Sequence, residues 1–283
     1  MKIWSAWLQG RKNAPAHVQK IFSLWEELNP KSDFVVLENS DVESILDTVG
    51  VNYDIMSPQV KTNIARIYLV SKYGGTWVDS TLLPTMPLDH WLTPQLRQEG
   101  FFAFRSTGLP ELVLQNWFMY GEQNNTILTN LLESYCEYFS VTRYPPQSRK
   151  IMLSLRIFDY FRYKYAKKLK DPLYFVDPDR GRSCRMYPYA FLNFSLYYIL
   201  NNDPLLARSW SNVPTLFHIL PSLVGHCAMD AETSDETFYR LALDLLPNSP
   251  VHKLNYRDPR FSILIDQARS RGLIEFGDRR ALG

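Results

Sequence analysis

Cysteine is scarce in this chain. Cys136, Cys184 and Cys227 are its three cysteines, far apart, odd in number and without a C-x-x-C pair. That excludes a disulfide framework or a structural zinc site and suits a reducing cytosol. They read as small buried hydrophobes, with a catalytic thiol as the alternative. Glycine, at 12 residues, shows no collagen-like or low-complexity bias. No G-x-G-x-x-G follows the first predicted strand, which argues against a nicotinamide oxidoreductase. Neither sign of charge dominates, since 31 Lys and Arg face 29 Asp and Glu for a net +2, and general nucleic-acid binding is not indicated. The longest apolar stretch, Tyr187 to Leu200, is too short for a membrane span and carries Asn193. Met1 to Gly10 does not have the pattern of a signal peptide. The expectation is a cytoplasmic protein, soluble or peripheral to a membrane.

What is present suits a globular protein. The 283 residues are 46% hydrophobic, enough for a full core, and 14% aromatic. Ile3 to Leu8 predicts a strand. Pro15 then opens a helix whose Val18, Ile21, Phe22, Trp25 and Leu28 recur at helical spacing until Asn29-Pro30. Asp33 to Leu37 predicts a second strand, completing a βαβ unit. Asp41 to Val49 predicts a short helix capped by Ser40 or Asp41. Pro58 to Lys72 predicts a longer one, closed by Tyr73-Gly74-Gly75. Thr76 to Val78 is the third predicted strand, with Asp79 at its far end. The rhythm implies an α/β fold, a mostly parallel sheet with helices on both faces. Such sheets bind ligands beyond the carboxyl ends of their strands, where Gln9, Gly10, Glu38, Asn39 and Asp79 fall. Further along, Phe101 to Phe104 predicts a strand. Asn125 to Phe139, Gln147 to Lys170, Tyr187 to Asn201 and Pro204 to Trp210 predict helices, giving a helical C-terminal half.

Lys61 to Thr81 carries the chemistry: Arg66 on a helix, then Y-G-G, then an apolar strand that delivers Asp79. A carboxylate so placed can bind a divalent cation or the hydroxyls of a ribose, and a cation beside it can neutralise a diphosphate leaving group. This segment resembles the DXD-containing sugar-binding region of bacterial capsular polysaccharide synthesis glycosyltransferases, which are similar to the α-mannosyltransferase and clostridial-toxin-like group with a GT-A fold. Trp7 to Pro15, WLQGRKNAP, resembles the family's opening, and Ser249 to Arg257, SPVHKLNYR, its closing element. The likeness covers about residues 1–90 and 185–257. Asn63 stands where the family has Asp on the helix, and Thr81 where D-x-D has its second carboxylate.

The resemblance implies one GT-A-like domain over 1–283. Its nucleotide-sugar core would be 1–110, a mainly helical acceptor side 120–245, and a tail closing the site 246–283. It implies sugar transfer from a nucleotide-diphosphate sugar, with retention of configuration, to a growing bacterial surface or capsular polysaccharide or a lipid-linked acceptor. Gln9, Gly10, Asn63, Arg66, Gly74, Gly75, Asp79 and Lys253 would bind the donor, with Asp79 and Arg66 central to catalysis. Asp79, Thr81 and His252 would hold Mn²⁺ or Mg²⁺, weakly, because one carboxylate holds such ions less firmly than two. The missing carboxylates also leave open an inactive nucleotide-sugar-binding partner subunit of the same fold. His218 and His226 lie among apolar residues and read as structural, and Trp4, Trp7 and Trp77 as core. Charge is segregated: Arg143 to Arg185 holds 12 Lys or Arg against 4 Asp or Glu, leaving 19 against 25 elsewhere. With its interleaved aromatics this stretch reads either as a surface for anionic membrane or as a solvated helix packed by one face.

Overall fold

A computed structural model describes residues 1–145, 157–168, 170–228 and 233–275. Strand β1 (Lys2–Ala6) leads through helix α1 (Ala16–Leu28) to β2 (Asp33–Leu37), then α2 (Asn39–Val49), α3 (Pro58–Tyr73) and β3 (Gly75–Val78). β1 pairs in parallel with β2 on one side and β3 on the other. Beyond β3 the sheet changes sense. Strands β4 (Leu82–Pro84), β5 (Phe101–Phe102) and β6 (Phe118–Gly121) follow in the chain, and β6 lies antiparallel between β3 and β5. The resulting order is β2-β1-β3-β6-β5. The expected α/β sheet flanked by helices is present, and its parallel half contains the βαβ unit. The antiparallel edge was not anticipated, because four-residue β6 is too short to show a period.

Alternation along the strands builds two cores. Trp4, Trp77, Phe101 and Met119 face α2, α3 and the helices Thr126–Phe139 and Phe191–Asn202. Their chain neighbours Ile3, Val78, Phe102, Phe118 and Tyr120 face α1 and the helices Asp235–Leu245 and Arg260–Ser270. This is the period-2 exposure of a sheet covered on both faces. Local signals set the helix ends. Ser57 Oγ accepts from the Val60 N–H, and Pro58 occupies the first turn of α3. α2 starts earlier than expected: Glu38 is its cap, and Asp41 accepts the Glu38 N–H at 2.8 Å.

Gly74 and Gly75 have positive φ, and a Cβ on Gly75 would lie 2.4 Å from the Lys2 carbonyl oxygen. Their role is to let α3 turn into β3 directly against β1. They stand at the opposite end of β3 from Asp79, about 13 Å away at strand rise, so the structure removes them from the donor-binding set.

A second sheet, absent from the sequence reading, pairs β4 antiparallel with β7 (Val251–Lys253), with Leu82 opposite Lys253. Trp25 of α1 donates to the Leu82 carbonyl at 2.8 Å and holds β4 from below. Helix Ile219–Cys227 packs on β7 so tightly that a Cβ on Gly225 would sit 2.2 Å from the Lys253 carbonyl oxygen. Among the described residues no helix is long and apolar enough to cross a membrane. The expected helix Gln147 to Lys170 is seen as Ile157–Lys168, and its first part, 147–156, lies outside the described residues, as does 276–283 of the tail.

Gly225→Ala is expected to cost about 1–3 kcal/mol through overpacking against β7, read as a lower urea midpoint with an unchanged slope.

Candidate active site

A cleft of about 890 Å³ opens at the carboxyl ends of β1 and β3. Trp7 and Gln9 follow β1 into it, Asn63 and Arg66 enter from α3, and Asp79 and Ser80 enter from the end of β3. Lys253 and Tyr256 close it from β7 onward. The turn that presents Asp79 is tied at both sides: its N–H donates to the Trp117 carbonyl at 2.8 Å, and its carbonyl accepts the Leu82 N–H at 2.8 Å.

Both oxygens of the Asp79 carboxylate are engaged. Oδ1 accepts from Arg66 Nη2 at 2.9 Å and from Trp77 Nε1 at 3.0 Å. Oδ2 accepts from Lys253 Nζ at 2.7 Å, and the same ammonium donates to Thr81 Oγ1 at 2.7 Å. Burial pushes the Asp79 carboxyl up. The charges of Lys253 and Arg66, with the Lys253 and Trp77 hydrogen bonds, outweigh that and hold it down at about 2. Burial also works against the Arg66 charge and lowers its pKa, with Asp79 opposing. Arg66 is braced by the Asn116 carbonyl at 2.5 Å and lies over the Trp77 ring at 4.9 Å, a contact favourable to a cation. Arg66 and Lys253 against Asp79 leave one surplus positive charge at the cleft floor, suited to an anionic ligand.

The structure thus brings Lys253 to Arg66, Asp79 and Thr81, which lie close together in the chain, from 174 residues beyond Asp79. Asn63 lines the wall as well; its amide accepts from Asn116 at 3.1 Å and donates to the buried Tyr135 hydroxyl at 3.4 Å. Gln9 reaches the cleft. Gly10 is not among the lining residues, and its φ of 87° turns the chain between β1 and α1. His252 does not join the site. Strand alternation turns its ring away from Lys253, Nε2 lies 2.9 Å from the Leu246 carbonyl, and burial lowers its pKa to about 4. His218 and His226, read from sequence as structural, both line the cleft, His218 with Nδ1 3.1 Å from the Arg105 carbonyl. Trp7 is a wall residue, edge-on to Tyr256 at 6.2 Å. Asn116 and Trp117, which support Arg66 and Asp79 through main-chain oxygens, carried no sequence signal, because backbone acceptors are independent of residue type.

Mn²⁺ or Mg²⁺ would need several oxygen ligands with free lone pairs. Among the described residues Asp79 is the one acidic residue on the cleft wall, and Arg66, Trp77 and Lys253 already use its oxygens. Among the described residues no group of three His, Cys, Asp or Glu could hold a metal ion. The residues present do not fit a divalent ion.

A carboxylate held low stabilises the fold above its ordinary range and loses that contribution as pH falls toward its folded value. Asp79 should therefore contribute about 2 kcal/mol at neutral pH that is lost between about pH 5 and pH 2. The urea stability gap between the native chain and Asp79→Asn is expected to shrink by that amount over this window.

Among solved structures, the PaToxG glycosyltransferase is similar to 75% of this chain over 74% of its own, at 13% identity and a TM-score of 0.38. No curated protein matches the chain. A family model described as capsular polysaccharide synthesis protein matches residues 1–175, more than half of the chain. The chain that forms this cation-clamped cleft belongs to the capsular polysaccharide synthesis protein family.

Proposed function

We propose that the chain is a glycosyltransferase that moves a sugar from a nucleotide-diphosphate sugar to a growing surface or capsular polysaccharide or its lipid-linked precursor. The observation that carries this reading is the Asp79 carboxylate at the rim of the sheet, held between Arg66 and Lys253 on the floor of an open cleft. Membership of a capsular polysaccharide synthesis family supports the glycan acceptor.

In this reading Trp7 and Gln9 meet the nucleotide, and the surplus charge of Arg66 and Lys253 meets the diphosphate. As the bond from the anomeric carbon to phosphate breaks, negative charge grows on the leaving oxygens, and the two cations stabilise it from fixed positions. The acceptor hydroxyl then forms the new bond to that carbon. Its proton passes to a leaving phosphate oxygen, since Asp79, the one carboxylate on the wall among the described residues, is already paired. Attack from the side of the leaving group retains configuration. Asp79 acts by orienting both cations.

The lipid-linked form of the acceptor is supported by helix Ile157–Lys168. Ile157, Phe158, Phe161 and Tyr165 lie within an arc of about 100° and are exposed, Phe158 by 74%. Lys164, Lys167 and Lys168 are exposed beside them, while Ala166 is buried and Tyr160 and Tyr163 pack inward with it. Exposed aromatics rimmed by lysines suit an anionic bilayer surface.

A donor screen that reads nucleoside diphosphate release should find one sugar nucleotide consumed. Arg66→Gln and Asp79→Ala should each lower that rate about 10²-fold or more while circular dichroism stays native. Full activity in Asp79→Ala would overturn the assignment, and an inverted product anomer by NMR would overturn the retaining course. Vesicles rich in phosphatidylglycerol should co-float with the protein at low salt. A Phe158→Ser, Phe161→Ser double variant should lose that binding and keep its donor consumption in detergent.

A further inference from the structure

The Lys253 ammonium sits between Asp79 Oδ2 and Thr81 Oγ1, 2.7 Å from each. A cation held by the first and third positions of a D-x-D or D-x-T segment would lie at this same point. A divalent ion entering there would have to expel Lys253, because two cations cannot share one carboxylate oxygen and one hydroxyl at contact distance. Among the described residues nothing else on the wall offers an acidic oxygen to draw the ion in.

The charges argue the same way. A site with two carboxylates and a divalent ion is neutral before any ligand arrives. Here Thr81 replaces one carboxylate, and the two univalent cations Arg66 and Lys253 face Asp79 alone. Asp79 with Lys253 is therefore neutral, just as two carboxylates with a divalent ion would be. Arg66 adds the one positive charge that attracts a dianionic or trianionic diphosphate. Lys253 is also built to stay in place. β7 is paired to β4 at Leu82, the helix of Gly225 backs its carbonyl, and its side chain is only 29% exposed. Of its three N–H donors, two are used by Asp79 and Thr81, which leaves one for the cleft.

We propose that Lys253 is the resident cation of this site, that it binds the donor's diphosphate directly, and that donor binding needs no divalent metal. This deepens the nucleotide-sugar reading and rests on it.

The test measures binding to the full-length protein by calorimetry, with UDP, GDP, CDP, ADP and dTDP as probes. Each is run after EDTA treatment and again in excess MnCl₂. The expected result is that at least one diphosphate binds in EDTA, with an affinity that MnCl₂ changes by less than about threefold. Lys253→Gln should weaken that binding at least about tenfold in both conditions, and Lys253→Arg should restore part of it. Manganese EPR on the nucleotide-free protein should show the free-ion signal unchanged. Binding that appears only with MnCl₂ would overturn the resident-cation proposal and leave the nucleotide-sugar reading standing. Binding of no diphosphate in either condition would overturn both. Unchanged affinity in a folded Lys253→Gln variant would also overturn the proposal, and the wild-type comparison decides the matter if that variant does not fold.

Discussion

One carboxylate organises this molecule's chemistry. Asp79 gathers a guanidinium, an ammonium and an indole N–H, and each comes from a different part of the chain. Leaving any of these charges unpaired in so enclosed a place would cost several kcal/mol, so the elements that deliver them must meet in one arrangement. The β3 turn is pinned to the main chain before β6, α3 is capped by Ser57, and β7 is locked onto β4. A cleft floor of fixed polarity results.

Much of the parallel half was legible in the sequence because its signals are local. Val18, Ile21, Trp25 and Leu28 mark one face of α1, and the apolar stretch of β3 ends where Asp79 begins. Arg66 and Asp79 fall on adjoining elements, so their meeting follows from a helix turning into a strand. Lys253 was legible only through a short element that resembles a family's closing motif.

Other features had no local signature. β4 and β7 are three residues each and owe their existence to each other, with Leu82 paired to the distant Lys253. Asn116 and Trp117 serve through backbone oxygens. His252 and Lys253 are neighbours in sequence, and only the register of β7 shows that one side chain enters the cleft while the other is buried beneath it. The glycines after Tyr73 show how a motif can be read correctly as a backbone device and assigned to the wrong end of a strand. They admit β1, and the ligand cleft lies beyond the opposite terminus.

The pairing of β4 with β7 also sets a timetable. α3 and β3 precede β7 in synthesis, so they can form while β7 is still unmade. Until residue 253 emerges, the nascent core holds Asp79 opposite Arg66 alone, without the charge that tips the floor positive. Lys253 joins the site 174 residues after Asp79, across a loop whose closure entropy must first be overcome. Chains that stop before Lys253 lack the charge that tips the cleft floor positive.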